Sequence, residues 1–276
     1  MKRLLILLMI SAFILTACAN FDEKATPDES MAQLTAAPDR AAASPDSSPA
    51  REITTEAPTS PPPTLDELAL SKFNRILNGE LRASRTELCV EELDQYPELP
   101  SGCEAVSLTI ALNSMGAKLD KCELVDDYLE YDDNFAVGFC GDPYGDGAGI
   151  YPPGLVRTAW NYINDNNARL YPFDTTGLSM DELYRFIDAG CPVVVWTTVY
   201  MNWPYFDGGT TYNDVFYPWY DLEHCVCMYG YDTDNNDIMI SDPQRGKITV
   251  SASEFEEIYD EIGKFSMVIM DVSDLQ

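Results

Sequence analysis

Pro100-Ser101-Gly102-Cys103-Glu104-Ala105-Val106-Ser107-Leu108-Thr109-Ile110-Ala111-Leu112-Asn113-Ser114-Met115-Gly116 sets a turn in front of an apolar run. Gly116 offers the positive-φ residue with which helices commonly end. The spacing predicts a helix from about Glu104 to Met115, with Cys103 at its start. The thiolate is the reactive form of cysteine, and the positive end of a helix lowers a thiol's pKa. Cys103 is therefore a candidate nucleophile. A buried helix-start cysteine, or one half of a disulfide, fits the same position. The other thiols have weaker settings. Cys122 lies beside Glu123, Asp126 and Asp127, and Cys89 precedes Glu91 and Glu92. Cys191 opens a buried strand, and Cys140 sits in a glycine-rich loop without positive charge.

Further elements follow on both sides. Thr64-Leu65-Asp66-Glu67 is a capping-box pattern opening a leading helix within 65–85, with Gly79 as its stop. A third helix follows Pro152-Pro153, and Ser179-Met180-Asp181-Glu182 opens a fourth that Gly190 closes. Residues 192–199 read as a buried strand, 223–231 and 238–242 as two strands joined by a polar turn, and 247–250 as another. Ser251-Ala252-Ser253-Glu254 caps a last helix, and 265–270 form a last strand. Helices dominate the first half and strands the second. That order predicts an α+β domain over 86–276, not alternating βαβ units.

The chain has 276 residues, 46% hydrophobic and 23% charged, which excludes wholesale disorder and a fibrous protein. Its net charge of −29 repels nucleic acid and anionic membrane surface. Lys2 and Arg3 precede an apolar run, Leu4 to Leu15, that ends in Leu15-Thr16-Ala17-Cys18. The run is too short for a permanent span and suits an exported signal peptide over 1–17. Small residues ahead of a cysteine resemble the bacterial lipoprotein cleavage box. That resemblance implies cleavage before Cys18 and lipidation of its thiol; an ordinary secretory peptide is the alternative. The expected location is the extracytoplasmic face of the bacterial cell membrane, held through the lipid anchor only. Loss of Lys2 and Arg3 with the leader takes the charge to −31. Residues 18–64 hold eight of the 18 prolines and one aromatic, Phe21. Such a stretch cannot offset its ordering entropy by burial and reads as a disordered tether with a reach of roughly 40 Å. Apart from Cys18 and Cys103, six cysteines remain, and an oxidising compartment predicts that they are at least partly paired.

A catalytic thiol needs a base, and His224 is the one histidine of the chain. It lies in Leu222-Glu223-His224-Cys225-Val226-Cys227-Met228. On a strand His224, Val226 and Met228 share one face and Cys225 and Cys227 take the other. That alternation argues against a zinc site of His224 with both thiols, so no metal and no cofactor is expected. A hydrogen-bonded core histidine fits the segment equally. Asp242 ends the strand Ile238-Met239-Ile240-Ser241-Asp242 before Pro243. An acid there can hold the Nδ1–H of the imidazole; an Asx turn before proline is the alternative. Gln95 lies just upstream of Cys103, across Tyr96-Pro97-Glu98-Leu99-Pro100. Its amide and the Cys103 backbone N–H could donate to an oxyanion, while a solvated loop glutamine needs no such role.

The stretch from Gln95 through Pro-Ser-Gly-Cys103-Glu104-Ala-Val-Ser107, with Leu112 and Gly116 behind it, resembles cysteine peptidase family 39. The likeness is to the stand-alone secreted branch of these bacteriocin-processing-type, papain-like enzymes. It continues through Phe139 to Pro143 with Tyr151-Pro152-Pro153, then Gly190 to Trp196. His224 to Asp232, Ser241-Asp242-Pro243 and residues 255–263 complete it. The resemblance implies a papain-like fold, with the nucleophile on a helical lobe and His and Asp on an antiparallel sheet lobe. It implies Cys103 as nucleophile, His224 as general base, Asp242 as its orienter and Gln95 in the oxyanion hole. The chain departs from the family in Cys140, Cys191, Cys225 and Cys227 and in an aromatic-rich insertion at 200–220.

That insertion holds Trp203, Tyr205, Phe206, Tyr212, Phe216, Tyr217, Trp219 and Tyr220. It reads either as a mobile wall of a substrate groove or as an outer loop packing its own aromatics. Residues 232–237 have a faint calcium-loop pattern but lack its glycine and closing glutamate, so a hairpin turn is expected. The expected function is a membrane-anchored, monomeric cysteine peptidase acting on peptides. Glu98, Glu104 and Glu223 flank the site in sequence and favour neutral or basic substrates. A non-catalytic peptide-binding or adhesin-like surface protein on the same fold is the alternative, as is a cell-wall cross-peptide hydrolase.

Overall fold

Thr64 and Glu67 exchange the reciprocal hydrogen bonds of a capping box, and α1 (Leu65–Leu77) starts there. The computed structural model describes residues 63–275. The leader, Cys18 and the tether as far as residue 62 lie outside the described residues. Asn78 caps α1, so the leading segment 65–85 is helical only to Leu77, and β1 (Arg85–Glu87) begins in its tail. Next comes α2 (Cys103–Ser114), whose cap at Met115 is followed by Gly116 at φ 98°. A short helical stretch, α3 (Lys121–Glu123), runs into a π-helical turn, Leu124–Tyr128.

The small ribbon β2 (Cys140–Gly141) and β3 (Gly147–Gly149) precedes α4 (Pro152–Asp165), which opens on two prolines. Then follow β4 (Leu170–Asp174), α5 (Met180–Asp188) and β5 (Val193–Thr198). The chain continues through β6 (Tyr205–Tyr212), β7 (Val215–Asp221), β8 (Glu223–Asp232), β9 (Asp237–Asp242) and β10 (Gly246–Ser251). It closes with α6 (Ala252–Ile262) and β11 (Ser266–Asp271).

The main sheet runs β10-β9-β8-β5-β11-β4, antiparallel throughout, with β1 also pairing β8. Every residue of α2 from Cys103 to Leu112 is buried. A helix apolar all round belongs in the interior, and α2 lies against one sheet face with α4 beside it. Cys225, Cys227 and Tyr229 pack with it. The opposite face, with Val193, Val195, Val226 and Met228, is covered by α5 and α6. The α+β papain-like arrangement is as expected, and so is the 232–237 hairpin turn, where Asp232 accepts from Asn235.

The insertion at 200–220 folds into the β6–β7 hairpin, where Phe206 packs on Phe216 and Tyr220. Its Tyr217 and Trp219 turn inward against Tyr151, while Tyr205, Phe206 and Phe216 stay exposed. One expectation fails: the described cysteines form no disulfide. Cys225 and Cys227 lie on one strand face inside the core, and Cys140 gives its thiol hydrogen to Asp132 O. Among the described residues no helix is long and apolar enough to cross a membrane.

Candidate active site

The turn before α2 is built to let the chain reach the thiol closely. Gly102 N–H bonds Leu99 O at 3.0 Å, and a Cβ on Gly102 would stand 2.8 Å from Leu99 Cβ. Ser101 Oγ donates to Gly145 O and accepts from Gly147 N–H, pinning the turn to the β2–β3 ribbon. Cys103, 8% exposed, heads the helix, where first-turn N–H groups have no intrahelical acceptor.

The thiol donates to Glu104 Oε2 at 3.2 Å, and Glu104 Oε1 accepts Ile150 N–H at 2.8 Å. Glu223 joins them: one donor atom each from Cys103, Glu104 and Glu223 lies within 4.8 Å of the others. Among the described residues neither carboxyl has a basic partner. Burial raises Glu104 to about 7. Burial, and then the charge of Glu104, pushes Glu223 well above the carboxylate range. Burial, and then the two carboxyls, likewise raises the Cys103 thiol. The helix terminus therefore does not yield the acidic thiol that the sequence predicts, because burial, and then the carboxyl that the same turn delivers beside it, outweigh the helix. Glu98 takes no part; it is exposed and paired with Lys121 at 2.8 Å.

His224 lies on the other parity of β8. Cys227 pairs with Ser241 and Met228 with Ile240, which puts Asp242 on the same face as His224. Both side chains are buried, and His224 Nε2 stands 2.8 Å from Asp242 Oδ1. Asp242 also accepts Gln244 N–H at Oδ1 (2.8 Å) and Arg245 Nε–H at Oδ2 (2.6 Å). Burial alone would raise this carboxyl. Its bonds from His224, Gln244 and Arg245 outweigh burial and hold it at about 2. Asp242 thus makes the Asx turn and orients the imidazole at once. It does so through Nε2, not through Nδ1 as expected. An ionised acceptor assigns the proton to Nε2 and leaves Nδ1 a lone pair, and Nδ1 is buried with no hydrogen-bond partner.

Gln95 reaches this end of the sheet through its backbone, where Gln95 N–H bonds Pro243 O at 2.8 Å. Its Nε2 donates to Pro100 O, and its buried Oε1 has no partner. The structure thus joins His224 to Asp242 directly and ties the Gln95 backbone to Pro243, next to Asp242. No hydrogen bond joins Cys103 to His224; the thiol is turned to Glu104. Sequence reading named Glu104 and Glu223 only as nearby charges and missed Gly149. Cys103-Glu104 and Glu223-His224 are adjacent pairs, and the parity of β8 was the signal available for Glu223.

Residues 87–267 match the model of the Peptidase_C39 like family, and the chain belongs to that family. The uncharacterized protein YvpB of Bacillus subtilis (strain 168) is 29% identical over 205 residues, which cover 69% of this chain and 78% of that protein. A solved structure from Bacillus anthracis, described as a C39-like peptidase, is 28% identical with a TM-score of 0.59. The match covers 67% of this chain and 97% of that one. Xylellain, a cysteine protease from Xylella fastidiosa, is more remote, at 15% identity and a TM-score of 0.38 over 71% of this chain and 88% of its own.

Proposed function

We propose that the protein is a lipid-anchored, extracytoplasmic cysteine peptidase that hydrolyses peptide bonds through Cys103, His224, Asp242 and Gln95. The observation that carries this reading is the buried His224–Asp242 pair with an unpartnered Nδ1 in a member of a peptidase family. In the reaction the thiol exchanges Glu104 for Nδ1 and gives up its proton there as Sγ bonds the substrate carbonyl carbon. The resulting oxyanion accepts from the Cys103 backbone N–H and the remaining Nε2 hydrogen of Gln95. The imidazolium, held by Asp242, then protonates the leaving amine as the C–N bond breaks. Water, deprotonated at Nδ1, attacks the thioester and frees the acid and the thiol.

A second reading, a peptide-binding protein with a silent thiol, is favoured by the raised Cys103 pKa and by the missing Cys103–His224 bond. A peptidyl epoxide separates the two. The peptidase becomes labelled at Cys103, with labelling lost in His224→Ala; a silent site gives no adduct. Digestion of a random peptide library against a Cys103→Ala control reads the substrate, including any cell-wall cross-peptide. For the anchor, Cys18→Ser is expected to shed the protein into the medium, and unchanged membrane retention would refute it.

A further inference from the structure

We propose that Cys103, Glu104 and Glu223 form a binding site for a thiophilic divalent cation such as Zn²⁺, whose occupancy silences the nucleophile. Binding rests on the geometry of the cluster. Only its consequence for activity rests on the peptidase reading.

A thiolate sulfur with two carboxylate oxygens is a donor set that Zn²⁺ accepts and that Mg²⁺ and Ca²⁺ do not favour. In tetrahedral zinc sites the sulfur and oxygen ligands stand roughly 3.5 Å apart, given Zn–S near 2.3 Å and Zn–O near 2.0 Å. The Cys103 Sγ to Glu104 Oε2 distance is 3.2 Å, so a cation replaces the thiol proton with little movement. Glu104 is already aimed, because Ile150 N–H holds Oε1 and turns Oε2 to the sulfur. Glu223 supplies the third donor within 4.8 Å, and its Oε1 is shut off from solvent without a hydrogen-bond partner.

The backbone leaves room for this set. Gly149 has φ 147°, and a Cβ there would overlap Glu104 Oε1 and stand 3.3 Å from Glu223 Oε2. Charge points the same way. Among the described residues no basic side chain pairs with Glu104 or Glu223, and a dication is a group able to balance both carboxylates. His224 is not in the set: its Nε2 is given to Asp242, and β8 puts it on the other parity from Glu223. Binding releases the thiol proton, and the metal–sulfur bond takes its place. Affinity therefore climbs with pH.

The test uses the full chain, reduced, with Co²⁺ as the spectroscopic probe and Zn²⁺ as the competitor. One equivalent of Co²⁺ should give the near-ultraviolet thiolate-to-cobalt band, which Zn²⁺ and not Mg²⁺ abolishes. Cys103→Ala should remove the band. Glu223→Gln and Glu104→Gln, both near-isosteric, should weaken Zn²⁺ binding at least tenfold with the circular dichroism spectrum retained. His224→Ala should keep the band. No band, a band indifferent to both glutamine variants, or a band lost in His224→Ala would overturn the site. If one glutamine variant fails to fold, the other decides together with Cys103→Ala. The readout is independent of turnover, so a chain that binds Co²⁺ this way yet cleaves nothing overturns the peptidase reading alone.

Discussion

Replacing Glu104 by glutamine should alter the pH dependence of stability more than its size in mild acid. Glu104 titrates at about 7 in the folded chain, against an ordinary value of 4.5. Between those two values the folded state keeps a proton that the unfolded chain has released. Stability linked to this group is therefore complete below about pH 4.5 and is lost as pH rises through 7. Linkage over that interval amounts to about 2–3 kcal/mol between pH 5 and pH 8. Glutamine retains an oxygen for Ile150 N–H and has no proton to lose. Urea unfolding of both proteins at pH 5, 6, 7 and 8 gives the gap between them. That gap should move in favour of Glu104→Gln by the stated amount as pH rises. The comparison cancels the general self-repulsion of a chain carrying −29, which also weakens stability with pH. A gap independent of pH would refute a proton held at the buried carboxyl pair.

Cys103→Ala and His224→Ala should each abolish peptide turnover with the fold intact, and the double variant should be no worse than either, since the groups act as a unit; retained turnover in either single variant, followed by mass spectrometry, would count against the assignment. Gly149→Ala should destabilise the protein by at least ~2 kcal/mol, because the new Cβ meets Glu104 Oε1 at a backbone angle that favours glycine; a melting temperature equal to wild type would show that the carboxyl pair can move aside. A lysine-bearing peptide should be cleaved faster than its glutamate analogue at low salt, with the difference shrinking as salt is added; equal rates at low salt would leave the acidic surface without a role in selection.

Most of the scaffold was legible because its signals are local. The capping boxes at Thr64 and Ser179, the paired prolines opening α4 and Gly116 behind α2 each mark an element end by chemistry within one turn. The pairing of His224 with Asp242 was only half legible. The register set by the Asp232–Asp237 turn would put Asp242 opposite Cys227, and the bulge between Met228 and Gly230, which no local signal marks, shifts it onto the face of His224. The β6–β7 hairpin was not legible. Its aromatics fall on both faces, inward at Tyr217 and Trp219 and outward at Tyr205 and Phe206, so its apolar residues do not alternate with polar ones as on a half-buried strand.

The carboxyl cluster escaped for a different reason, and this bears on how the site works. A helix N-terminus is a sound argument for an acidic thiol only when nothing else sits in the first turn. Here the residue after Cys103 is Glu104, and the residue before His224 is Glu223; helix and strand geometry bring these two together from distant parts of the sequence. Sequence alone shows each as one more acidic residue among 46. Folding withdraws them from solvent, and burial without a basic partner raises a carboxyl's pKa, as it does that of Glu223. The same burial raises the thiol's pKa, so in the proposed mechanism its activation comes from the unpartnered Nδ1 of His224 and not from the helix. The alternation of β8 thus divides the work of one short segment. Glu223 falls on one face beside the thiol, and His224, the proposed base, falls on the other with Asp242.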